Sequence, residues 1–256
     1  LAICSPSARS SARTRGLAVM TVGEQGEAIR LVNRAPTQLG QSLTVEHAGQ
    51  ERTIELPLIG AYQVSNALTA AGLALATGTE ASRVWDAVAR LQPVRGRLER
   101  AAIAPSGAPI YVDYAHTPDA IAAAVAALRP HVSGRLITVF GAGGDRDHGK
   151  RAPMGAAAAK ASDVVIVTDD NPRGEDPADI RRQVLEGAPQ AREIGGRREA
   201  ILAAIAEAGA EDIVLVAGKG HETGQIIGSG DNMRVLPFDD VDVARECVAE
   251  IARGAA

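Results

Sequence analysis

Residues 144–151, GDRDHGKR, place charged side chains at a spacing that suggests phosphate chemistry. The first glycine, four further residues and the Gly-Lys pair match seven positions of the phosphate-binding loop G-x-x-x-x-G-K-[ST]. The eighth position needs a hydroxyl for Mg²⁺, but Arg151 stands there. Asp145 and Asp147 also put negative charge where a polyphosphate would lie. The segment is therefore either an altered ATP site or a loop with another function.

A second segment, TDDNPRGEDP (168–177), follows an apolar run typical of a buried strand. Asp170 and Asn171 supply hydrogen-bond acceptors, and Arg173 supplies a fork of donors that matches a carboxylate. Pro172 stiffens the loop between them. The alternative is an Asx-type turn that caps the next helix. The arginine favours a binding loop, because a turn does not need it.

A third segment, AGKGHET (217–223), also comes directly after an apolar run. Gly218 and Gly220 allow the backbone to approach a ligand closely. Glu222 can accept hydrogen bonds from an ammonium group. His221 and Glu222 lack the second histidine of H-E-x-x-H, so we predict no metal ligand here.

A fourth segment, VDYAHTPD (112–119), puts Asp113 and His116 at the end of a predicted strand. Thr117, just before a proline, is typical of a helix N-cap. A capped helix does not explain an aspartate within a buried apolar strand, so Asp113 is a candidate site residue.

Asn66 and Arg97 are weaker signals. Asn66 lies in an apolar helical pattern and could form a packing hydrogen bond, and Arg97 could be a surface charge. Neither residue alone predicts a ligand contact.

Short, nearly continuous apolar runs predict the strands that position these four segments. They are IYVDY (110–114), RLITVF (135–140), DVVIVT (163–168) and DIVLVA (212–217). Helical patterns alternate with them at 118–129, 152–161, 177–187, 198–209 and 239–253. This order predicts an α/β, Rossmann-like, doubly wound and mostly parallel sheet. Ligands of such sheets bind outside the carboxyl ends of the strands, so we expect the four polar loops to form one site.

The chain changes character near residues 92–99, QPVRGRLE. Before this point we predict a hairpin at 43–58 and helices at 63–78 and 80–91. We therefore divide the chain into residues 1–97 and residues 98–256.

The composition excludes several classes of protein. Of the 256 residues, 46% are hydrophobic and 23% charged, the net charge is −4 and aromatics make up 2%, so we expect no nucleic-acid surface. No apolar run reaches the roughly 18 residues of a membrane span. Cys4 and Cys247 form neither a disulfide framework nor a zinc motif, which fits the cytoplasm. The first 16 residues are rich in Arg and Ser, as in transit peptides, but the leading Leu instead predicts a fragment.

Taken together, YVDYAHTPDAI, GGDRDHGKRAPMG, TDDNPRGEDP and AGKGHET resemble the Mur ligases in order and spacing, from about residue 16 to the end. DNPR is the most specific part and resembles the members that add diaminopimelate. The resemblance implies that residues 1–97 are the truncated last part of the central ATPase domain and residues 98–256 the whole C-terminal domain. The family's phosphate loop, carbamylated lysine and Mg²⁺ ligands would then lie upstream, and GDRDHGKR is not a failed phosphate loop.

The resemblance also implies the role of individual residues. The contacts to meso-2,6-diaminopimelate map onto Arg146, Asp170, Asn171, Pro172, Arg173, Gly218 and Glu222. The nucleotide contacts map onto Asn66 near adenine, Arg97 near the phosphates, and Asp113 and His116 near the ribose. We assign no catalytic residue and no metal ligand to this chain.

The activity that the resemblance implies is ATP-dependent amide formation in cytoplasmic peptidoglycan precursor synthesis. ATP, with Mg²⁺, would activate the D-Glu γ-carboxylate of UDP-MurNAc-L-Ala-D-Glu as an acyl phosphate, and the diaminopimelate amine would attack it. The fragment by itself would be inactive and would position the amine.

Two alternatives stay open. The chain could be a freestanding, non-catalytic domain that binds an amino acid or a nucleotide, or a related ligase that adds another amino acid. An in-frame phosphate-loop motif in the upstream coding DNA would favour the ligase fragment, and a start codon with a ribosome-binding site would favour the freestanding domain.

Overall fold

The computed structural model describes residues 14–16 and 18–254. Cys4 and most of the transit-peptide-like segment lie outside the described residues. The chain divides into two compact units, Leu1–Gln92 and Pro93–Ala256. The assignment of the first unit to a central ATPase domain stays a prediction.

The first unit contains a four-stranded sheet in the order β1-β2-β3-β4. Its elements are β1 (Val22–Gly23), β2 (Ile29–Thr37), β3 (Gly40–His47), β4 (Gln50–Leu56), α1 (Ala61–Ala76) and α2 (Ala81–Val88). β3 and β4 form the predicted hairpin, and its turn residues Ala48 and Gly49 both have positive φ, as a tight hairpin turn requires. Helix α1 ends just before Gly78, whose φ is 91°.

Buried apolar residues alternate with more exposed residues along the hairpin, so that one face of this sheet is buried. Leu43 and Val45 on β3, and Ile54 and Leu56 on β4, are buried and pack with apolar residues of α1 and α2. Trp85 on α2 belongs to the same core and is 4% exposed.

The second unit contains a six-stranded sheet in the order β5-β6-β10-β7-β8-β9. The strands are β5 (Glu99–Ile103), β6 (Pro109–Asp113), β7 (Leu136–Ala142), β8 (Val164–Asp169), β9 (Arg192–Glu193) and β10 (Ile213–Ala217). β5 pairs antiparallel with β6, and all the other pairs are parallel. The four predicted strands form the buried centre, which confirms the fold class.

Helices cover both faces of this sheet, as a doubly wound fold requires. They are α3 (Pro118–Leu128), α4 (Arg151–Ala161), α5 (Pro177–Leu185), α6 (Arg197–Glu207) and α7 (Asp240–Gly254). Ile201 of α6 and Ala244 of α7 pack on one face, against Val139 and Val216. Thr117 caps α3 as predicted, since its Oγ1 accepts from the Ala120 N–H at 3.3 Å.

A small hairpin, β11 (Gly224–Ile227) and β12 (Arg234–Pro237), was not predicted from the sequence. Strands β5 and β9 at the sheet edges were not predicted either. The hairpin bonds to the second binding segment, because the Arg173 N–H donates to the Ile226 carbonyl at 3.0 Å.

Candidate functional site

A cavity of about 210 Å³ opens at the carboxyl ends of the parallel strands. The strand ends lie within two residues of one another: Ala217 pairs with Asp113 and with Phe140, and Ala142, two residues further along, pairs with Asp169. The four polar loops therefore meet at one edge of the sheet. The lining residues are Tyr114, His116, Gly141, Ala142, Gly143, Arg146, Lys150, Met154, Asp170, Asn171, Arg173, Gly218 and Glu222.

Most of the residues assigned to the amino-acid site line this one cavity. They are Arg146, Asp170, Asn171, Arg173, Gly218 and Glu222. Pro172 instead lines a narrow neighbouring cleft beside Ile180. The turn hypothesis for Asp170 and Asn171 is not needed, because Asp176 caps α5 by accepting from the Ala178 N–H at 2.8 Å.

Two arginines and Lys150, whose Nζ donates to the His116 carbonyl at 3.1 Å, supply the positive charge of the cavity. Arg146 is exposed, and its Nη1 donates to the Asp145 carbonyl at 3.0 Å. Arg173 Nη1 donates to the carbonyls of Gly144 at 2.9 Å and Asn171 at 3.3 Å, and the residue adopts φ 51°. Each guanidinium has five N–H donors, so both retain donors for a ligand carboxylate.

Two carboxylates supply the negative charge. Asp170 is 6% exposed, and within the described residues its carboxylate accepts no hydrogen bond. Burial raises the pKa of this carboxyl, while the positive charges of Arg197 and Lys219 oppose the shift. Glu222 is more open, with a side chain that is 35% exposed. A ligand ammonium would supply the partner that Asp170 lacks.

Lys219 is buried next to the cavity residues Asn171 and Glu222, and it was not predicted from the sequence as a site residue. Its side chain is fully buried, and its Nζ donates to Asn171 Oδ1 at 3.0 Å, Glu222 Oε2 at 3.3 Å and the Gly224 carbonyl at 2.6 Å. The only sequence signal is a lysine between two glycines after a buried strand, which a surface loop would also show.

The GDRDHGKR segment has a structural role that its resemblance to a phosphate loop conceals. Arg151, at the Ser/Thr position, is fully buried and forms a bidentate pair with Glu175, with both N···O distances 2.8 Å. It also donates to the Gly143 carbonyl at 3.2 Å. The ion pair holds the Glu175 pKa down at about 2. Arg151 thus connects the loop that carries Arg146 to the loop that carries Arg173.

A second buried ion pair lies below the cavity. Arg197 at the start of α6 and Asp240 at the start of α7 are both fully buried and form a bidentate pair at 2.8 and 2.6 Å. Arg197 also donates to the carbonyls of Asp169 at 3.2 Å and Ala217 at 3.0 Å. It therefore holds together the ends of the two strands that lead into the binding loops.

The residues assigned to the nucleotide differ in the contacts that their side chains make. Asp113 serves the backbone: its carboxylate accepts from the Leu98 N–H at 2.8 Å and the Ala115 N–H at 2.9 Å. His116 lines the cavity and contacts the Tyr114 ring edge-on, with centroids 4.6 Å apart. The Arg97 guanidinium and the centroid of the His221 ring each lie 5.0 Å from the centroid of the Tyr114 ring.

Asn66 belongs to the first unit, on helix α1. It is exposed, and its Nδ2 donates to Gln63 Oε1 at 3.3 Å. The packing role considered from the sequence is therefore wrong, because the side chain is not in the core.

Two kinds of feature, a cluster of metal ligands and a membrane-spanning helix, are absent from the described part of the chain. Among residues 14–16 and 18–254, no group of three or more His, Cys, Asp or Glu side chains could hold a metal ion. The same residues include no helix that is both long enough and apolar enough to cross a membrane.

The fold and the motifs are those of a known family. Residues 96–220 match the family described as "Mur ligase, glutamate ligase domain". The Rossmann-like unit of this chain is a Mur ligase C-terminal domain.

Two relatives and one solved structure that resemble this chain share one name. The chain is 62% identical over 234 residues to the UDP-N-acetylmuramoyl-L-alanyl-D-glutamate–2,6-diaminopimelate ligase of Zymomonas mobilis, covering 91% of this chain and 48% of that one. It is 53% identical over 236 residues to the ligase of the same name from Caulobacter vibrioides, covering 92% and 48%. A solved structure with that name superposes with a TM-score of 0.75 at 34% identity, covering 95% and 50%. The chain thus spans about half the length of these relatives.

Proposed function

We propose that this chain is the C-terminal portion of a ligase that joins meso-2,6-diaminopimelate to UDP-MurNAc-L-Ala-D-Glu with the consumption of ATP. The observation that carries the proposal is the single cavity in which two arginines and two carboxylates converge. The name shared by the similar relatives supports it. We further propose that the enzyme acts in the cytoplasm.

The charges of the cavity match the charges of diaminopimelate, which has two ammonium and two carboxylate groups. Arg146 and Arg173 offer forked donors for carboxylate, whereas Asp170 and Glu222 offer acceptors for ammonium. L-Lysine lacks the distal carboxylate and would leave an arginine without its partner. A site built for a polar group can reject a ligand that lacks it by about 10⁴-fold.

We assign the nucleotide to the neighbouring cluster of Arg97, Tyr114 and His116, whose cation and rings suit phosphate and ribose. Asp113 supports this cluster through its backbone hydrogen bonds and need not contact the ribose directly. ATP, when bound, supplies the phosphoryl group that activates the carboxylate. By the same resemblance, we propose that Asn66 binds the adenine. We also propose that residues 1–97 are the last part of the ATPase domain. In this proposal the Mg²⁺ ligands lie upstream of this chain, as the resemblance to the family implies.

The role of this unit in the reaction is to position the attacking amine. The arginines and the carboxylates together would hold the distal end of the amino acid, which has both an ammonium and a carboxylate group, and would leave the amine at the other end to attack. A fixed orientation lowers the entropy cost of bringing the amine to the activated carboxylate. The described residues present no evident base, so we assign no proton transfer to them.

Calorimetric titration of the chain with meso-diaminopimelate and, separately, with L-lysine tests the proposal. We expect binding of the first and none of the second. Arg173→Met should abolish the binding of meso-diaminopimelate, because the arginine lines the cavity. Arg182→Met is the matched control: this arginine pairs with Asp179 on the exposed face of α5 and should leave binding unchanged.

The full-length enzyme is titrated in parallel, because the missing half of the protein could be needed to close the site. Binding by the full-length enzyme alone would keep the assignment of the residues. Equal binding of lysine and diaminopimelate, or none to the full-length enzyme, would contradict the proposal.

A further inference from the structure

Lys219 is an unusual residue beside the cavity, because a charged side chain is rarely buried completely. It does not line the cavity. An ammonium group has three N–H donors, and the three acceptors around Nζ use all of them. Lys219 therefore has no donor left for a ligand, and any effect it has on binding must pass through the residues it contacts.

The contact with Asn171 determines which way the side-chain amide of that residue faces. One atom of the amide receives both the Lys219 Nζ at 3.0 Å and the Ile226 N–H at 2.9 Å. Both partners are donors only, so this atom must be the oxygen. The amide nitrogen then points to Glu222 Oε2, to which it donates at 2.9 Å.

The contact with Glu222 divides the two oxygens of its carboxylate. Oε2 accepts from both Asn171 Nδ2 and Lys219 Nζ. Within the described residues Oε1 accepts no hydrogen bond, so it is free to meet a ligand donor. Asn171 Nδ2 likewise keeps one N–H after the bond to Glu222.

From these contacts, and on the basis of the proposed function, we propose that Lys219 is a positioning residue that sets the polarity of the amino-acid site. By holding Oδ1 of Asn171, it makes the amide present an N–H, which suits a ligand carboxylate. By holding Oε2 of Glu222, it leaves an acceptor oxygen, which suits a ligand ammonium. Without the lysine, Oδ1 keeps only the Ile226 N–H as a donor within the described residues, and the amide is held less firmly in this orientation.

The Asn171 amide gives a test that needs no ligand. Its side-chain ¹H–¹⁵N signals can be assigned by their loss in Asn171→Asp. In the wild-type chain both protons should be distinct and the one bonded to Glu222 slow to exchange with solvent. In Lys219→Met the two signals should move toward those of a free amide and exchange faster. Unchanged signals would overturn the proposal.

Ligand binding tests the consequence for the site. Lys219→Met should weaken meso-diaminopimelate binding about tenfold or more, because it removes all three hydrogen bonds that Nζ donates. In a Glu222→Gln background the same substitution should weaken binding less than about threefold, because interacting sites are not additive. Factors that multiply in the double variant would mean that Lys219 acts independently of Glu222 and would overturn the proposal.

The controls separate a loss of orientation from a loss of fold. Lys160→Met makes the same change on the exposed surface of α4 and should alter neither the amide signals nor binding. If Lys219→Met does not fold, Lys219→Gln replaces it, since glutamine retains two N–H donors but not the charge. If the wild-type protein binds no meso-diaminopimelate in any form, the proposed function is wrong, while the amide signals still decide the role of Lys219.

Discussion

Gly218 shows how much of the site depends on a single missing Cβ. Its φ is 121°, a conformation that favours glycine, and a Cβ there would lie 2.7 Å from Asp170 Oδ2. The backbone can lie this close to the buried Asp170 carboxylate because residue 218 has no Cβ. The AGKG pattern predicted a close approach of the backbone to a ligand, which stays a prediction; in the structure the Gly218 backbone lies close to Asp170.

Gly218→Ala should therefore destabilise the protein by about 1–3 kcal/mol and weaken meso-diaminopimelate binding. Chemical denaturation and calorimetric titration measure the two effects. Gly23→Ala is the matched control, because Gly23 has a similar φ of 113° with nothing within 4 Å of the added Cβ. The control should lose stability through backbone strain but keep its affinity. Equal affinities of the two variants would show that the contact with Asp170 is unimportant for binding.

The Arg151–Glu175 pair acts at the scale of elements, because it joins the loop after β7 to the loop after β8. The Arg151 side chain is fully buried and that of Glu175 is 21% exposed. Breaking a buried pair leaves an uncompensated charge inside the protein, which costs more than the pair contributes when intact. Arg146 and Arg173 are on these two loops, so the pair also sets their separation.

Glu175→Gln should lower the free energy of unfolding by about 3 kcal/mol near neutral pH. The folded pKa of about 2 lies below the usual value of 4.5, so this stability is present above about pH 4.5 and is lost as the pH falls toward 2. Urea denaturation of both proteins as a function of pH should show the two stabilities converging over that range. Glu186→Gln, in an exposed pair with Arg182, should change stability by less than about 0.5 kcal/mol at every pH. A constant difference between wild type and Glu175→Gln down to pH 2 would refute the assigned pKa shift.

The predictability of the elements follows their burial. The four central strands were predicted to within two residues, because strands buried on both faces form continuous apolar runs. β5 and β9 lie at the edges, β11 is half-buried and β12 is exposed, so their sequences lack that pattern. The missed hairpin matters for the site, since Ile226 and Gly224 provide backbone partners for Asn171 and Lys219.

At the scale of the whole molecule, the chain consists of two units with separate apolar cores. One core contains Leu43 and Trp85, and the other contains Val139 and Ile201. A self-contained core is what allows a domain to fold as a cooperative unit. We therefore expect two transitions that a mutation can shift separately.

Trp85, the single tryptophan of the chain, reports on the first unit. Leu215→Ala, in the fully buried centre of β10, should destabilise the second unit by about 2–5 kcal/mol. It should lower the midpoint seen by circular dichroism while moving the Trp85 fluorescence midpoint much less. Leu43→Ala should shift the fluorescence midpoint instead. If Leu215→Ala moves both signals equally, the two units unfold together.

The sequence by itself determined the α/β fold class, the family, and the four polar segments at the ends of the central strands. These properties depend on local pattern: apolar runs, the loops that follow them, and residue types with a clear chemistry such as Arg173 and Asp170. Only the tertiary structure decided that Arg151, Arg197 and Lys219 are buried supports of the site. Their roles depend on partners that lie 24 to 48 positions away along the chain, such as Glu175, Asp240 and Asn171. A charged residue in a loop has the same local pattern whether it is solvated or paired, and only folding brings its partner to it.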